Sequence, residues 1–300
     1  MYEQIAANKR KTVVLIAAAI LLLGAVGYVL GLLYASGPVG LVGAVALAIV
    51  MSLVSYFSGD RIVLASARAR PVTPQEEPRL HNIVEGLSIA AGVPTPKVYV
   101  IPERALNAFA TGRDPQHASV AVTQGLLEAM NRVELEGVIG HELAHVVDRD
   151  ILVGTIVATL IGAVVLLSEF FMRSWWWGGG RRGRDSGGGG ASAIVFAIGL
   201  VLLVLAPIIG QMVRLAVSRN REYLADAQGA LLTRYPPGLA SALRKIATGA
   251  TIPMRSANNA TAHLWLNQPS RIEGEGMGTL EKLFSTHPPI AERIRRLEEM

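Results

Sequence analysis

Hydrophobic residues dominate four stretches of the chain, and polar residues separate them. The stretches cover residues 13–34, 39–57, 151–172 and 191–213. Each is close to the roughly 20 apolar residues that a helix needs to cross a hydrocarbon core about 30 Å thick. The first is longer than the apolar region of a cleaved signal peptide, and the second follows it almost at once. The pattern therefore predicts two membrane-associated helical hairpins.

Segments with the spacing of amphipathic helices lie on both sides of the second hairpin: residues 76–91, 134–148, 218–232, 239–248 and 290–299. Two segments alternate as short strands do: residues 97–101 and 119–123. The predicted fold class is α+β and mostly helical, with four membrane-associated helices. One soluble domain is interrupted by a hairpin. The predicted boundaries are 1–58 for the N-terminal transmembrane hairpin, 59–150 for the first part of the domain, 151–217 for the second hairpin and 218–300 for the second part.

Composition agrees with a membrane protein. Hydrophobic residues make up 51% of the chain and charged residues 17%, and the mean hydropathy is +0.40. The net charge of +5 is modest, and the basic residues cluster at membrane flanks, so we expect no nucleic-acid partner. The chain has no cysteine, and any metal site must therefore use histidine and carboxylate ligands.

The charged flanks predict an orientation. Basic residues 9–11 precede the first apolar stretch and Arg61 follows the second, whereas the loop between them, residues 35–38, is uncharged. The positive-inside rule then places the N-terminus and the soluble domain in the cytoplasm. The loop of the second hairpin contains Arg181 and two further arginines, against the rule. That hairpin either spans the membrane or lies partly in its surface.

The strongest chemical signal is the motif His141-Glu142-Leu143-Ala144-His145. Residues four apart lie on one face of a helix, so both imidazoles can bind one zinc ion. Glu142 lies on an adjacent face, close enough to accept a proton from zinc-bound water, whose pKa the metal lowers. The pattern predicts a hydrolytic zinc site with Glu142 as the general base. A helix with two surface histidines and an unrelated glutamate is the alternative.

A catalytic zinc site needs a third protein ligand and an open position. The candidates are the carboxylates and the remaining histidines: His81, His117, His263 and His287. We favour Glu222, because its helix leaves the fourth apolar stretch at the level where the motif helix enters the third. Asp226 lies on the same helix face and can hydrogen-bond the free nitrogen of a liganding histidine. A solvated helix face is the alternative for both. Asp150 either hydrogen-bonds a liganding histidine in the same way or is an ordinary charged residue next to the membrane.

Three motifs together resemble one protein family. They are the motif at residues 141–145 with Asp150, the segment at residues 218–226 and the segment at residues 284–289. Over essentially its whole length the chain is similar to the HtpX-type membrane zinc metalloproteases, gluzincins related to the CAAX prenyl-protein endopeptidases. The resemblance implies a gluzincin-like zinc protease domain with one zinc ion per chain. It implies the ligands His141, His145 and Glu222, with Glu142 as the base.

The resemblance also implies roles for two residues near the C-terminus. Peptide hydrolysis passes through an oxyanion that needs a second donor besides the metal. In the relatives a histidine at the position of His287 supplies this donor, and an arginine at the position of Arg293 supports it. The alternative is the first turn of a helix, capped by Ser285 or Thr286, in which His287 is merely packed.

Residues 107–112 resemble the exposed edge strand with which gluzincins bind an extended substrate backbone. The resemblance implies that Asn107, Ala108, Phe109 and Ala110 contact the substrate. A buried Phe109 followed by an ordinary turn is the alternative. Residues 256–277 are rich in asparagine and glycine, without clear periodicity, and predict a flexible flap.

The resemblance implies a multi-pass protein of the cell inner membrane whose catalytic domain faces the cytoplasm. Its substrates would be misfolded or damaged membrane proteins cut under stress; the oligomeric state stays open. One alternative is a site-2-type intramembrane metalloprotease, in which the motif lies inside a hydrophobic span; here charged residues such as Glu134 and Asp148 flank it. The other is a non-catalytic membrane scaffold or chaperone, against which the intact base and ligand set argue.

Overall fold

A computed structural model describes residues 2–33, 37–162, 219–249, 252–254, 256, 260–267 and 288–300 of the chain. It begins with two long helices, α1 (Tyr2–Leu33) and α2 (Gly37–Ser66), which pack against each other. The helical backbone continues through polar residues before residue 13 in α1 and after residue 57 in α2. Both helices are therefore longer than the apolar stretches in the sequence.

The remaining elements form a small sheet and a group of helices. The strands are β1 (Arg70–Pro71), β2 (Lys97–Ile101), β3 (Ala108–Gly112) and β4 (Ala118–Thr123). The helices are α3 (Pro78–Ala91), α4 (Gln124–Ala129), α5 (Arg132–Asp148), α6 (Asp150–Gly162), α7 (Arg219–Thr233), α8 (Pro236–Gly249) and α9 (Ile290–Glu298). Short 3-10 turns cover Pro115–His117 and Ala262–Leu264. The prediction of a mostly helical α+β fold is confirmed.

The four strands form one mixed sheet in the order β1-β2-β4-β3. β2 and β4 are parallel, and β3 pairs antiparallel with β4 at one edge of the sheet. Alternate residues face opposite sides, so Val120 and Val122 join the core formed with α3, α5 and α8. Ala121 and Phe109 instead join a second cluster with residues of α2 and α6. The sheet therefore lies between α3, α5 and α8 on one side and α2 and α6 on the other.

The four predicted membrane helices are not confirmed. Among the residues that the structure describes, Leu41–Ser66 is the one helical segment long and apolar enough to cross a bilayer. Its large side chains such as Val50, Val54 and Phe57 are exposed, as expected of a helix surrounded by lipid. The third predicted stretch is described only as α6, which is shorter and buried in the protein. The fourth lies outside the described residues.

Glycines allow α5 to approach two other helices closely. A Cβ atom at Gly229 on α7 would lie 2.7 Å from the backbone nitrogen of His141, and one at Gly137 would lie 2.6 Å from the backbone nitrogen of Leu239 on α8. Neither backbone can move without moving its helix. Gly140 faces Gly229 across the same crossing. The small residues beside the motif therefore bring α7, and with it Glu222, against the motif helix.

Replacing Gly229 with alanine is expected to destabilise the fold by about 1–3 kcal/mol, because the added methyl group forces α5 and α7 apart. Gly86→Ala is the matched control: Gly86 is exposed on α3, and a Cβ there meets nothing within 4 Å. The control is expected to gain about 0.5–1 kcal/mol. Thermal unfolding of the detergent-solubilised variants measures both effects. Equal stability of the two variants would contradict the close crossing.

Candidate metal centre

The motif residues lie on α5, whose ends are well defined. Asn131 caps its first turn: the side-chain oxygen accepts from the backbone N–H of Glu134, whose carboxylate accepts from the backbone N–H of Asn131. The helix ends at Arg149, which has a left-handed backbone with φ of 58°. His141 and His145 are one turn apart in the second half of the helix. His141 is buried and His145 half-buried.

Three donor atoms converge beside this face of α5. The Nε2 atoms of His141 and His145 are 3.2 Å apart, and Glu222 Oε2 and Oε1 lie 3.9 Å and 3.7 Å from them respectively. Ligands about 2.0–2.2 Å from a tetrahedral zinc ion are separated by about 3.3–3.6 Å. Small side-chain movements are therefore enough for these three groups to bind one ion, and His141, His145 and Glu222 fit a metal.

A carboxylate holds the second nitrogen of His141. Asp226 Oδ1 lies 2.9 Å from His141 Nδ1, which fixes the tautomer and leaves Nε2 for the metal. Arg293 is buried behind this pair and donates twice to Asp226, over 2.8 Å from Nε and 2.7 Å from Nη2. Its Nη1 atom also lies 3.7 Å from Glu222 Oε2. Arg293 thus contacts Asp226 and the donor group Glu222 from behind, and does not itself line the cleft.

The second histidine has a carboxylate partner of its own. Asp150 Oδ2 lies 3.2 Å from His145 Nδ1. The other oxygen, Oδ1, accepts from Arg221 Nη1 over 2.9 Å and from the amide of Asn8. Each of the two histidines is therefore held by an aspartate, as metal-ligating imidazoles often are. Each aspartate is held in turn by an arginine.

Burial and charge set the protonation of the two rings. Burial lowers the pKa of His141, against a raising contribution from Asp226, and favours the neutral ring that a metal ligand needs. Burial also acts to lower the pKa of His145, but the hydrogen bond to Asp150 and the charge of Glu222 outweigh it and raise that pKa to about 9. The surroundings of the second ring therefore favour positive charge, which a divalent metal can supply.

Glu142 lies beside the donors and lines the same open cleft. Its side chain is buried, and burial raises the pKa of its carboxyl group to about 7. The backbone N–H of Ala110 on β3 donates to the carboxylate and opposes this shift. A buried carboxylate with a pKa near neutrality, next to a metal site, has the properties of a general base.

Replacing Asp226 with asparagine is expected to weaken metal binding about 10–100-fold, because the carboxylate that orients His141 loses its charge. The matched control is Asp114→Asn, since Asp114 also contacts a histidine, with 2.7 Å between its Oδ1 atom and His117 Nδ1, but at the surface away from the centre. The control is expected to bind metal as the parent does. Competition with a chromogenic chelator measures both affinities, and equal affinities would contradict the role of Asp226.

Residues 260–267, here called the strap, run along the edge strand β3. The backbone N–H of Leu266 donates to the carbonyl of Ala108 over 2.9 Å, and Asn107 Nδ2 donates to the carbonyl of Asn267 over 2.7 Å. The ring of Phe109 packs edge to face on the buried ring of Trp265, with 4.8 Å between centroids. The flexible flap predicted at 256–277 is thus, within the strap, a packed segment, because its tryptophan completes an apolar cluster.

Backbone groups in the rest of the edge strand also form hydrogen bonds with neighbouring side chains. Ala110 donates to Glu142, and the backbone N–H of Gly112 donates to Thr155 Oγ1 over 3.2 Å. β3 therefore lies at the edge of the sheet, as expected, but it is buried and not exposed, because the strap and side chains of α5 and α6 cover it. His263, Leu264 and other strap residues form one wall of the cleft.

The structure brings together most of the residues that the sequence singles out. His141, Glu142, His145 and Glu222 share one cleft, with Asp150 at its margin. Asp226 and Arg293 lie behind them. His287 lies outside the described residues, as do Ser285 and Thr286. The sequence assigns no role to Asn8 or Arg221 and does not place the strap at the cleft, although Arg221 lies within the segment 218–226. The position of a polar residue just before an apolar stretch is the one signal for Asn8.

Comparison with known proteins gives consistent matches. The family model described as peptidase family M48 matches residues 74–300. A protease HtpX homolog of Thermoanaerobacter pseudethanolicus is 48% identical over 300 residues, covering 100% of this chain and 98% of the relative. Another, of Tropheryma whipplei, is 47% identical with the same coverage. The crystal structure of S. mikatae Ste24p matches with a TM-score of 0.51 and 18% identity, over 99% of this chain and 67% of that one. This last likeness concerns the fold.

Proposed function

The chain belongs to peptidase family M48 and is a membrane metalloprotease, and we propose that it is a zinc endopeptidase whose ion is held by His141, His145 and Glu222. The observation that carries the proposal is the convergence of these three donor groups beside a buried carboxylate. Two nitrogens and one carboxylate oxygen, with an open side towards the cleft, form the ligand set of a catalytic zinc site. We expect one ion per chain.

When bound, zinc would lower the pKa of a water molecule and polarise the substrate carbonyl. Glu142 accepts the proton of the attacking water, and its buried position keeps bulk water from competing for that proton. Asp226 and Asp150 hold the two rings so that both Nε2 atoms face the cleft. Arg293 fixes Asp226 in turn.

The proposed chemistry also needs a hydrogen-bond donor to the oxyanion. We assign the second oxyanion donor to His287, on the strength of the family resemblance of residues 284–289. Arg293 follows six residues later and contacts the ligand Glu222 and its neighbour Asp226. This position supports a role in orienting the site, with the direct oxyanion contact left to His287.

We assign substrate binding to the edge strand, through Asn107, Ala108, Phe109 and Ala110. An extended polypeptide that pairs with this strand would be recognised mainly through its backbone, which suits a protease with little sequence preference. The strap holds the carbonyl of Ala108 through Leu266. On this proposal it gives up that bond when a substrate pairs with β3.

The proposed setting is the inner membrane, with the catalytic domain in the cytoplasm. The basic residues 9–11 and Arg61, at the two ends of the first predicted hairpin, support this orientation. The exposed apolar surface of α2 supports insertion into the membrane. We propose a multi-pass chain with the hairpins 1–58 and 151–217 and a protease domain formed by 59–150 and 218–300. Its substrates are misfolded or damaged membrane proteins, and its role is quality control under stress.

Mapping the cleavage sites in a reconstituted membrane substrate tests this function. The full chain and a helical membrane protein carrying an unfolded cytoplasmic segment are placed in the same liposomes, and the products are identified by mass spectrometry. We expect cuts in the polar cytoplasmic segment that depend on Glu142. Cuts in the middle of a transmembrane span would instead indicate a site-2-type protease. Absence of products with the parent chain, as with a Glu142 variant, would indicate a scaffold or chaperone.

A further inference from the structure

The N-terminal helix reaches the metal centre with a buried polar side chain. Asn8 is 3% exposed and lies on the same face of α1 as Thr12, Leu15 and Ala19. Leu15 and Ala19 pack against apolar residues of α6. An amide at that depth is unfavourable unless it is hydrogen-bonded. The buried face of α1 is therefore apolar at Leu15 and Ala19 and polar at Asn8 and Thr12, nearer the metal centre.

The NH2 group of the Asn8 amide binds the turn between α5 and α6. Its Nδ2 atom donates to the backbone carbonyl of Asp148 over 3.0 Å and to Asp150 Oδ1 over 2.5 Å. A carbonyl and a carboxylate oxygen only accept, so the NH2 group alone can satisfy both. The two acceptors flank Arg149, whose left-handed backbone redirects the chain. Asn8 thus connects the end of the motif helix to the carboxylate that follows it.

The two aspartates of the centre are held in different ways. One arginine supplies both hydrogen bonds that orient Asp226. At Asp150, Arg221 supplies one bond to Oδ1 and Asn8 supplies another. The remaining oxygen of Asp150 accepts from His145. Asn8 therefore supplies to Asp150, beside His145, a second hydrogen bond. At Asp226, beside His141, a second nitrogen of Arg293 supplies the corresponding bond.

We propose that Asn8 is a positioning residue of the metal centre: its amide fixes Asp150 so that the ring of His145 keeps Nε2 directed at the metal. The inference rests on the metalloprotease function proposed above. Its consequence is that the geometry of the ligand set depends on the Asn8 amide itself, and not only on the apolar packing of α1 against α6.

The test compares Asn8→Leu and Asn8→Ala with Leu15→Ala, all in the full chain in detergent. Leu15 is buried on the same face of α1 but contacts apolar residues. Zinc affinity is measured by chelator competition, the visible spectrum is recorded after cobalt substitution, and the Tm is measured without metal. We expect both Asn8 variants to bind zinc about 10–100-fold more weakly and to show an altered cobalt spectrum. Leu15→Ala should lower the Tm and keep the parental affinity and spectrum.

Parental affinity and spectrum in both Asn8 variants would overturn the proposal. It would also be overturned if Leu15→Ala lost as much affinity as they do, because the effect would then reflect loosened packing of α1. A parent chain that binds no metal would overturn the zinc endopeptidase function instead, so the two failures are distinguishable.

Discussion

Glu142→Gln is expected to abolish peptide hydrolysis while the protein keeps its metal. Glutamine has nearly the same shape as glutamate, so the buried site stays filled, but it cannot accept the proton of the attacking water. Loss of a general base costs about 10²–10⁴-fold in rate. Cleavage of an unfolded casein-like protein and zinc per chain, measured on the same samples, separate catalysis from metal binding.

The control for this variant is Glu136→Gln. Glu136 lies on the same helix, partly exposed, where its carboxylate accepts from Arg132 Nε over 2.9 Å. Neutralising this residue removes a surface ion pair and is expected to leave cleavage at the parental rate. Equal cleavage by the parent and Glu142→Gln would contradict the assignment of the base. Loss of zinc from Glu142→Gln would mean that this carboxylate helps to hold the ion.

Glu222→Ala is expected to release the metal, and cleavage should be lost with it. The two histidines alone leave the ion with fewer protein ligands than catalytic zinc sites have. The loss of affinity should exceed the about 10–100-fold that follows removal of an outer hydrogen-bonding partner. Measured by chelator competition, it should therefore be greater than for Asp226→Asn.

The control for the third ligand is Glu128→Ala. Glu128 is exposed on α4, where its carboxylate accepts from Gln124 Nε2 over 3.1 Å. This variant is expected to keep both metal and activity. If Glu222→Ala retained its zinc with the affinity of the parent, the third ligand would have to be another residue.

Local patterns were sufficient to predict the parts of the fold that depend on local sequence. The alternation at 97–101 corresponds to β2, because Val98 and Val100 face the core in register with Val120 and Val122. The motif helix was expected from residue 134 and begins at Arg132, since Asn131 provides its cap. The helix expected at 239–248 begins earlier, at Pro236, because a proline is well tolerated in the first turn of a helix.

The sequence motifs were enough to suggest the residues of the metal centre, but not the contacts that hold those residues in place. The spacing of His141 and His145 depends on helix geometry alone, and a hairpin between α5 and α7 was enough to suggest Glu222. The contacts of Asn8 and of the strap depend on how distant segments pack, which no local pattern encodes. Asn8 in particular lies among ordinary polar residues at the start of α1, and its buried contact with Asp150 follows from the docking of α1 on α6.

Anomalous diffraction at the zinc edge, from crystals of the full chain, tests the central claim most directly. The account predicts one peak per chain, between the Nε2 atoms of His141 and His145 and the carboxylate of Glu222, at about 2.0–2.2 Å from each donor. A peak at another position, or no peak in protein that cleaves its substrates, would contradict it.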